Sequence, residues 1–122
     1  MKLIEFVPPR PHRLWRLCLQ MGITDVVVKV APELTGGAEP WNRDALAAVV
    51  NGLARAGLRV VALEGDPFDM SPVKLGLPDR DRTLEHYRRL LGNMAELGIG
   101  LLCYNFMVGT GWHRTGERSG RG

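Results

Sequence analysis

Residues 73–115 read VKLGLPDRDRTLEHYRRLLGNMAELGIGLLCYNFMVGTGWHRT, and their reading decides the fold. A loop bounded by Gly76 and Pro78 leads into a run where Leu84, Tyr87, Leu91 and Met94 recur at helical spacing. Glu85 and Arg89 stand four apart, as a surface ion pair on a helix requires. Gly98 and Ile99 then close the helix, because glycine just past a helix end supplies the left-handed turn that re-aims the chain. A continuous apolar strand, GLLCYNF, follows, and past it comes a polar-aromatic cluster of Tyr104, Asn105, Trp112, His113 and Arg114. In α/β proteins ligands bind beyond the C-terminal ends of such strands.

The same unit occurs twice more upstream. Gly22-Ile23 precedes DVVVKV, and Gly57-Leu58 precedes RVVALEG. Unbroken Val/Leu runs suit strands covered on both faces, as in parallel sheets. The first helix gathers Leu14, Leu17, Cys18 and Met21 on one face, and the second gathers Leu46, Val49, Val50 and Leu53. Pro11, Pro40 and Pro78 lie near helix starts, where a missing N–H costs little. The expected order is strand 3–7, helix 12–21, strand 25–30, helix 42–56, strand 59–64, helix 82–97 and strand 100–106. Strands alternating with single helices predict an α/β fold of parallel βα units. Two longer loops, residues 31–41 and 65–80, follow strands at the C-terminal edge of the sheet, where long loops tend to carry function.

Counting seven residues from each of the three glycines reaches Lys29, Glu64 and Asn105. Each is a polar residue near the end of an apolar strand, and Glu5 has a similar setting on the first strand. Equal spacing in equivalent units predicts equivalent places, and a buried charge needs a partner. Two readings stay open: a structural Lys29–Glu64 ion pair with Asn105 capping a loop, or a shared site.

Length bounds the rest. The 122 residues suffice for one domain, with 45% apolar and 24% charged residues. No apolar run reaches the roughly 20 residues of a membrane span, and MKLIEFVPPRP does not read as a signal peptide. A cytoplasmic chain with no membrane partner is expected. Cys18 and Cys103 sit in apolar segments and read as buried free thiols, in keeping with a reducing compartment. The net charge of +3 owes much to the Gly/Arg-rich end, so no nucleic-acid partner is expected. Residues 1–108 are expected to form the folded unit and residues 109–122 a flexible tail.

Neither G-x-G-x-x-G nor a Walker A sequence occurs. His12, His86 and His113 lack metal-ligand spacing; His86 reads as a solvated helix residue, whereas His113 lies beside Trp112 and Arg114 near the expected ligand. Trp112 in a Gly-rich loop implies a contact with substrate, a neighbouring loop or a partner subunit. Arg114 has the geometry to hold a carboxylate by two parallel hydrogen bonds, and equally reads as a surface arginine.

KLGLPDRDRTLEHYRRLLGNMAELGI and CYNFMVGTGWHRT resemble the mannonate dehydratases of hexuronate catabolism, as does the opening EFVPPRPHRLW. Their pattern there is a K-L-G-L-P-x-R-D loop, an amphipathic helix, C-Y-N-F/W-M, and a loop ending in W-x-R-T. Gly111 stands where many members carry an acidic residue. The resemblance implies a xylose-isomerase-like TIM barrel, of which this chain supplies a partial (half) barrel with four strands and three helices. It implies Mn2+ or Fe2+ and the elimination of water from D-mannonate to 2-keto-3-deoxy-D-gluconate. It implies Tyr104, Asn105, Trp112 and Arg114 as a substrate-side wall, with Glu64, Lys74 and His113 beside them. It places the metal ligands and acid–base residues on later strands, so the chain alone is expected to be inactive. Association into a homo-oligomer stays open, as do a sugar isomerase or epimerase and a non-catalytic assembly module.

Overall fold

Three helices end in the same hydrogen-bonded turn, and that turn sets the fold. The computed structural model describes residues 1–108. In it α1 (Arg13–Gln20) ends at Met21, with Gly22 N–H donating to Leu19 O at 3.1 Å and Ile23 N–H to Cys18 O at 2.9 Å. The helix Arg43–Arg55 repeats this: Gly57 N–H donates to Ala54 O at 2.9 Å and Leu58 N–H to Leu53 O at 3.0 Å. So does Arg80–Glu96, through Gly98 to Ala95 O at 3.2 Å and Ile99 to Met94 O at 2.8 Å. This paired pattern needs a left-handed residue, and Gly22, Gly57 and Gly98 have φ of 74°, 85° and 72°. The apolar residue after each glycine, Ile23, Leu58 or Ile99, is buried, which pins the chain as it turns into the next strand.

The strands are β1 (Glu5–Phe6), β2 (Asp25–Val28), β3 (Arg59–Glu64) and β4 (Leu101–Cys103). They form one sheet in the order β1-β2-β3-β4, with every neighbouring pair parallel. The remaining elements complete the chain order: α2 (Pro32–Thr35), α3 (Arg43–Arg55), α4 (Ser71–Lys74) and α5 (Arg80–Glu96). The fold is therefore the expected parallel α/β partial barrel with four strands, but the described residues hold five helices rather than three, since the two long loops each contain a single-turn helix, α2 and α4. Both carry proline in the first turn, and α2 ends at Gly36 with φ 79°.

Capping follows the local chemistry. His12 Nδ1 accepts from Leu14 N–H at 3.2 Å, and Asn42 Oδ1 accepts from Asp44 and Ala45 N–H at 2.9 and 3.3 Å. Each takes up donors that a helix start leaves unpaired. Trp15 Nε1 donates to Pro8 O at 2.9 Å, anchoring the proline-rich segment on α1.

The core lies between one face of the sheet and the long helices. Val26, Val28, Val30, Val60 and Leu63 meet Cys18, Leu46, Leu53, Leu90 and Met94 there. A fully buried Leu or Val of this kind contributes roughly 1.5–3 kcal/mol of transfer free energy. The buried face of α5 is Thr83, Leu90 and Met94 rather than the expected stripe through Leu91, which is exposed. On α1 the burial falls on Trp15 and Cys18, while Leu17 and Met21 are exposed.

β2 and β3 are not in uniform register. Val26 pairs with Val60, but Val27 pairs with Ala62, so Val61 is an extra residue on β3. This bulge resets the alternation. Leu63, beside Val28, reaches the helix side, and Glu64 falls on the opposite, inner face together with Cys103, its partner on β4. At the other end of the sheet Asp25 is 3% exposed. Its carboxylate accepts from Arg59 Nε at 2.7 Å and Nη2 at 2.8 Å and also pairs with Lys2. The Arg59 and Lys2 hydrogen bonds hold the Asp25 carboxyl well below the usual carboxylate range.

Candidate functional site

Parallel pairing brings the C-terminal ends of all the strands to one rim. One residue past the last paired positions of β2 and β3 stand Lys29 and Glu64. Their side chains do not pair with each other. Lys29 Nζ lies 3.7 Å from Glu33 Oε1 on α2, and a methyl group at Gly65 would sit 3.6 Å from Lys29 Cε. Among the described residues no ion pair forms on Glu64, which is exposed. Of the two readings left open, the Lys29–Glu64 ion pair is therefore not formed: Lys29 turns instead to Glu33 in the loop that follows β2. Glu5 also departs from expectation. It pairs with Val26, on the helix-facing side of the sheet, so alternation separates it from Glu64.

The centre of the rim is Lys74, at the end of α4. Its side chain is only 4% exposed. Nζ donates to Asp66 Oδ2, to Asn105 Oδ1 at 3.1 Å and to Met107 O at 3.2 Å. The chain reaches this geometry by local steps. Gly65 (φ 80°) turns it out of β3 while its N–H donates to Cys103 O at 2.8 Å. Asp69 Oδ1 accepts from Ser71 N–H at 2.9 Å and starts α4, and the Ser71 hydrogen bonds lower the Asp69 carboxyl pKa. One turn later Lys74 faces back toward Asp66 and the end of β4.

A concavity of about 240 Å3 opens beside this cluster. Asp66, Lys74 and Asn105 form its polar side, and Tyr87, Tyr104 and Phe106 its aromatic side. Tyr104 is 68% exposed. Burial, followed by the charges of Tyr104 and Asp66, pushes the Tyr87 hydroxyl pKa up, so Tyr87 stays a neutral hydrogen-bonding phenol at this wall.

The structure thus brings Lys74, Asn105 and Tyr104 together and leaves Glu64 on the inner face of the sheet. Trp112, His113 and Arg114 lie outside the described residues, as does the tail expected over residues 109–122. Asp66, with its direct ion pair to Lys74, was missed by sequence reasoning, as was Tyr87 as a cavity residue. The signal for Asp66 was present: an acidic residue eight before a lysine across a Pro/Gly-rich loop.

Two further readings change. His86 is not a solvated helix residue. Its ring stacks on Trp41 with centroids 4.0 Å apart and planes 10° apart, and Phe68 meets Trp41 edge-on at 5.0 Å. Asn93 Nδ2 donates to Trp41 O at 2.9 Å, so the loop after β2 is clamped onto α5. Cys103 is exposed rather than buried, since it points to the inner face with Glu64 and not to the helices. Cys18 is the buried thiol, and burial, then the nearby Glu5 charge, pushes its pKa up.

No helix among the described residues is long and apolar enough to cross a membrane. Nor does any group of three or more His, Cys, Asp or Glu among them have the arrangement to hold a metal ion. The residues in hand therefore do not fit a metal centre by themselves.

Comparison with known proteins gives one answer at three levels. The family model described as D-mannonate dehydratase (UxuA) matches residues 11–120. Mannonate dehydratase 2 of Halalkalibacterium halodurans is 35% identical over 94 residues, covering 77% of this chain and 26% of that protein. The mannonate dehydratase of Thermotoga neapolitana is 36% identical over 77 residues, covering 63% of this chain and 21% of that protein. The crystal structure of mannonate dehydratase from Streptococcus suis serotype 2 superposes with a TM-score of 0.74 at 26% identity, covering 93% of this chain and 32% of that one. The chain thus spans about a quarter of the length of these curated relatives. With the parallel rim, the motif residues gathered on it and a family match over most of its length, the chain belongs to the D-mannonate dehydratase family.

Proposed function

We propose that this chain forms a substrate-side rim of a hydro-lyase that removes water from D-mannonate to give 2-keto-3-deoxy-D-gluconate, in the breakdown of hexuronates. One observation carries the reading. Lys74 of the K-L-G-L-P motif and Asn105 of the C-Y-N motif, 31 residues apart, meet in a direct hydrogen bond at the mouth of one cavity.

The reaction needs a proton removed next to a carboxylate, stabilisation of the resulting enediolate charge, and an acid to help hydroxide leave from C3. A bound Mn2+ or Fe2+ is the family's means of stabilising such charge. The described residues lack a ligand set for it, so their part is binding and orientation. Asn105 and Tyr104 provide hydrogen-bonding groups, and Phe106 an apolar wall that excludes water. The family resemblance gives Trp112, Arg114 and His113, outside the described residues, a role in substrate binding, and Glu64 lies on the inner face of the sheet. The 122-residue chain works in the cytoplasm as part of a larger assembly and has no turnover by itself.

The test is to express the whole reading frame that contains this chain and, separately, the 122 residues alone. Each is incubated with D-mannonate and added Mn2+, and 2-keto-3-deoxy-D-gluconate is measured. Product is expected from the whole frame only. Aldose–ketose interconversion without that product would replace the dehydratase reading by an isomerase, and turnover by the isolated chain would refute the assigned division of roles.

A further inference from the structure

The hydrogen bonds around Lys74 determine which way the Asn105 amide faces. A lysine ammonium has three donors and no acceptor. Lys74 Nζ uses them on Asp66 Oδ2, Asn105 Oδ1 and Met107 O. A second donor, the Met107 N–H, enters the same Asn105 Oδ1 at 3.2 Å. Both neighbours of this atom can only donate. A flipped amide would set its NH2 group against an ammonium and an N–H, so the oxygen must be the atom facing them. The amide NH2 then faces the other way. Among the described residues Nδ2 has no acceptor, and no buried side-chain polar atom there lacks a partner, so Nδ2 is accessible from outside, on a residue that lines the cavity.

We propose that Lys74 is a positioning residue: it does not touch the ligand, but locks Asn105 so that the rim presents a donor pair which accepts only an oxygen acceptor at that point. The inference rests on the reading that this rim takes a sugar acid, and it names the part of the ligand concerned, a hydroxyl or carboxylate oxygen. It also removes Lys74 from the cations that hold the substrate carboxylate. Its charge is matched by Asp66, and its donors are all engaged.

The experiment follows the Asn105 side-chain amide directly. The protein expressed from the whole reading frame that contains this chain is labelled with [15N]asparagine, the Asn105 NH2 signals are assigned by their loss in Asn105→Asp, and D-mannonate is titrated in. In the unmodified chain the pair is expected at positions distinct from solvated amides, and Lys74→Met should move it to those positions while the other asparagine signals stay. An Asn105 pair unmoved by Lys74→Met in a folded protein overturns the proposal. Should that variant not fold, a through-hydrogen-bond coupling between Lys74 Nζ and Asn105 Cγ in the unmodified chain supports the lock, and its absence overturns it. Asn105→Asp keeps an acceptor for Lys74 but loses the outward donors. It should weaken D-mannonate binding about tenfold or more; undiminished binding overturns the donor assignment. A locked amide that D-mannonate does not shift supports the positioning role and rejects the sugar-acid reading instead.

Discussion

The repeated helix-ending glycines make a prediction whose sign depends on backbone geometry alone. Gly98 has φ 72° and no heavy atom within 4 Å of the place a Cβ would occupy. Gly98→Ala therefore adds no clash, and its whole cost is that of forcing an L-residue into the left-handed region, about 1–2 kcal/mol. Gly52, in the interior of α3, also has nothing within 4 Å of its Cβ position, but its φ is ordinary. There the same substitution removes backbone freedom from the unfolded chain and should stabilise by roughly 0.5–1 kcal/mol. The two variants, identical in composition, should differ by about 2 kcal/mol and so by several degrees in Tm. Circular dichroism during thermal and urea unfolding measures both. The reasoning fails if Gly98→Ala is as stable as the parent, because the turn would then not require the left-handed residue. A destabilised Gly52→Ala would show instead that the space beside Gly52 is not open.

Leu53 is fully buried in the core, so Leu53→Ala should cost about 2–5 kcal/mol in urea unfolding. Asp25→Asn should reveal a pH dependence. The folded pKa of Asp25 is depressed, so its stabilisation is present above the unfolded value of about 4 and is lost as pH falls below it. The difference in stability between parent and variant should thus be full at neutral pH and shrink on acidification; a difference that grows in acid would contradict this. Cys103 should be alkylated quickly in the native chain and Cys18 only on unfolding, since one is exposed and the other buried with a raised pKa, as mass spectrometry of labelled peptides will report. Asp66→Asn should destabilise more than Lys74→Met. The first strands a buried ammonium at a cost on the order of 3 kcal/mol, and the second leaves a carboxylate that is 30% exposed and can turn to water; equal losses in a chemical denaturation series would sink the argument.

Much of the fold was legible because its determinants are local. A glycine, an apolar residue and an apolar run are contiguous in the chain, and each of the three occurrences became the same closed turn followed by a parallel strand. The two single-turn helices were legible in principle, since Ala31-Pro32 with Gly36 and Asp69-Ser71-Pro72 are ordinary start and stop signals. Other features depend on distant partners that periodicity does not encode. His86 became half-buried only because Trp41, 45 residues away in sequence, stacks on it. The choice of Leu90 over Leu91 is set by which face of α5 packs into the core, where Leu90 joins Met94. Cys103 looked buried because its strand is apolar, but a strand with one covered face buries only alternate residues. The bulge at Val61 could not be counted from sequence, nor could the β3–β4 register, which sets Glu64 level with Cys103 rather than with Asn105.

The bulge and the lysine together show how the rim separates its charges. Glu64 is turned to the inner face of the sheet, while the one ammonium beside the cavity is neutralised by Asp66 and consumed by three acceptors. Among the described residues, a ligand entering between Asn105 and Tyr104 therefore meets a neutral donor pair and aromatic surface, beside an ammonium already matched by Asp66. Neutral donors bind hydroxyl and carboxylate oxygens with similar geometry, so this part of the rim selects for an acceptor in a given direction and not for an anion as such.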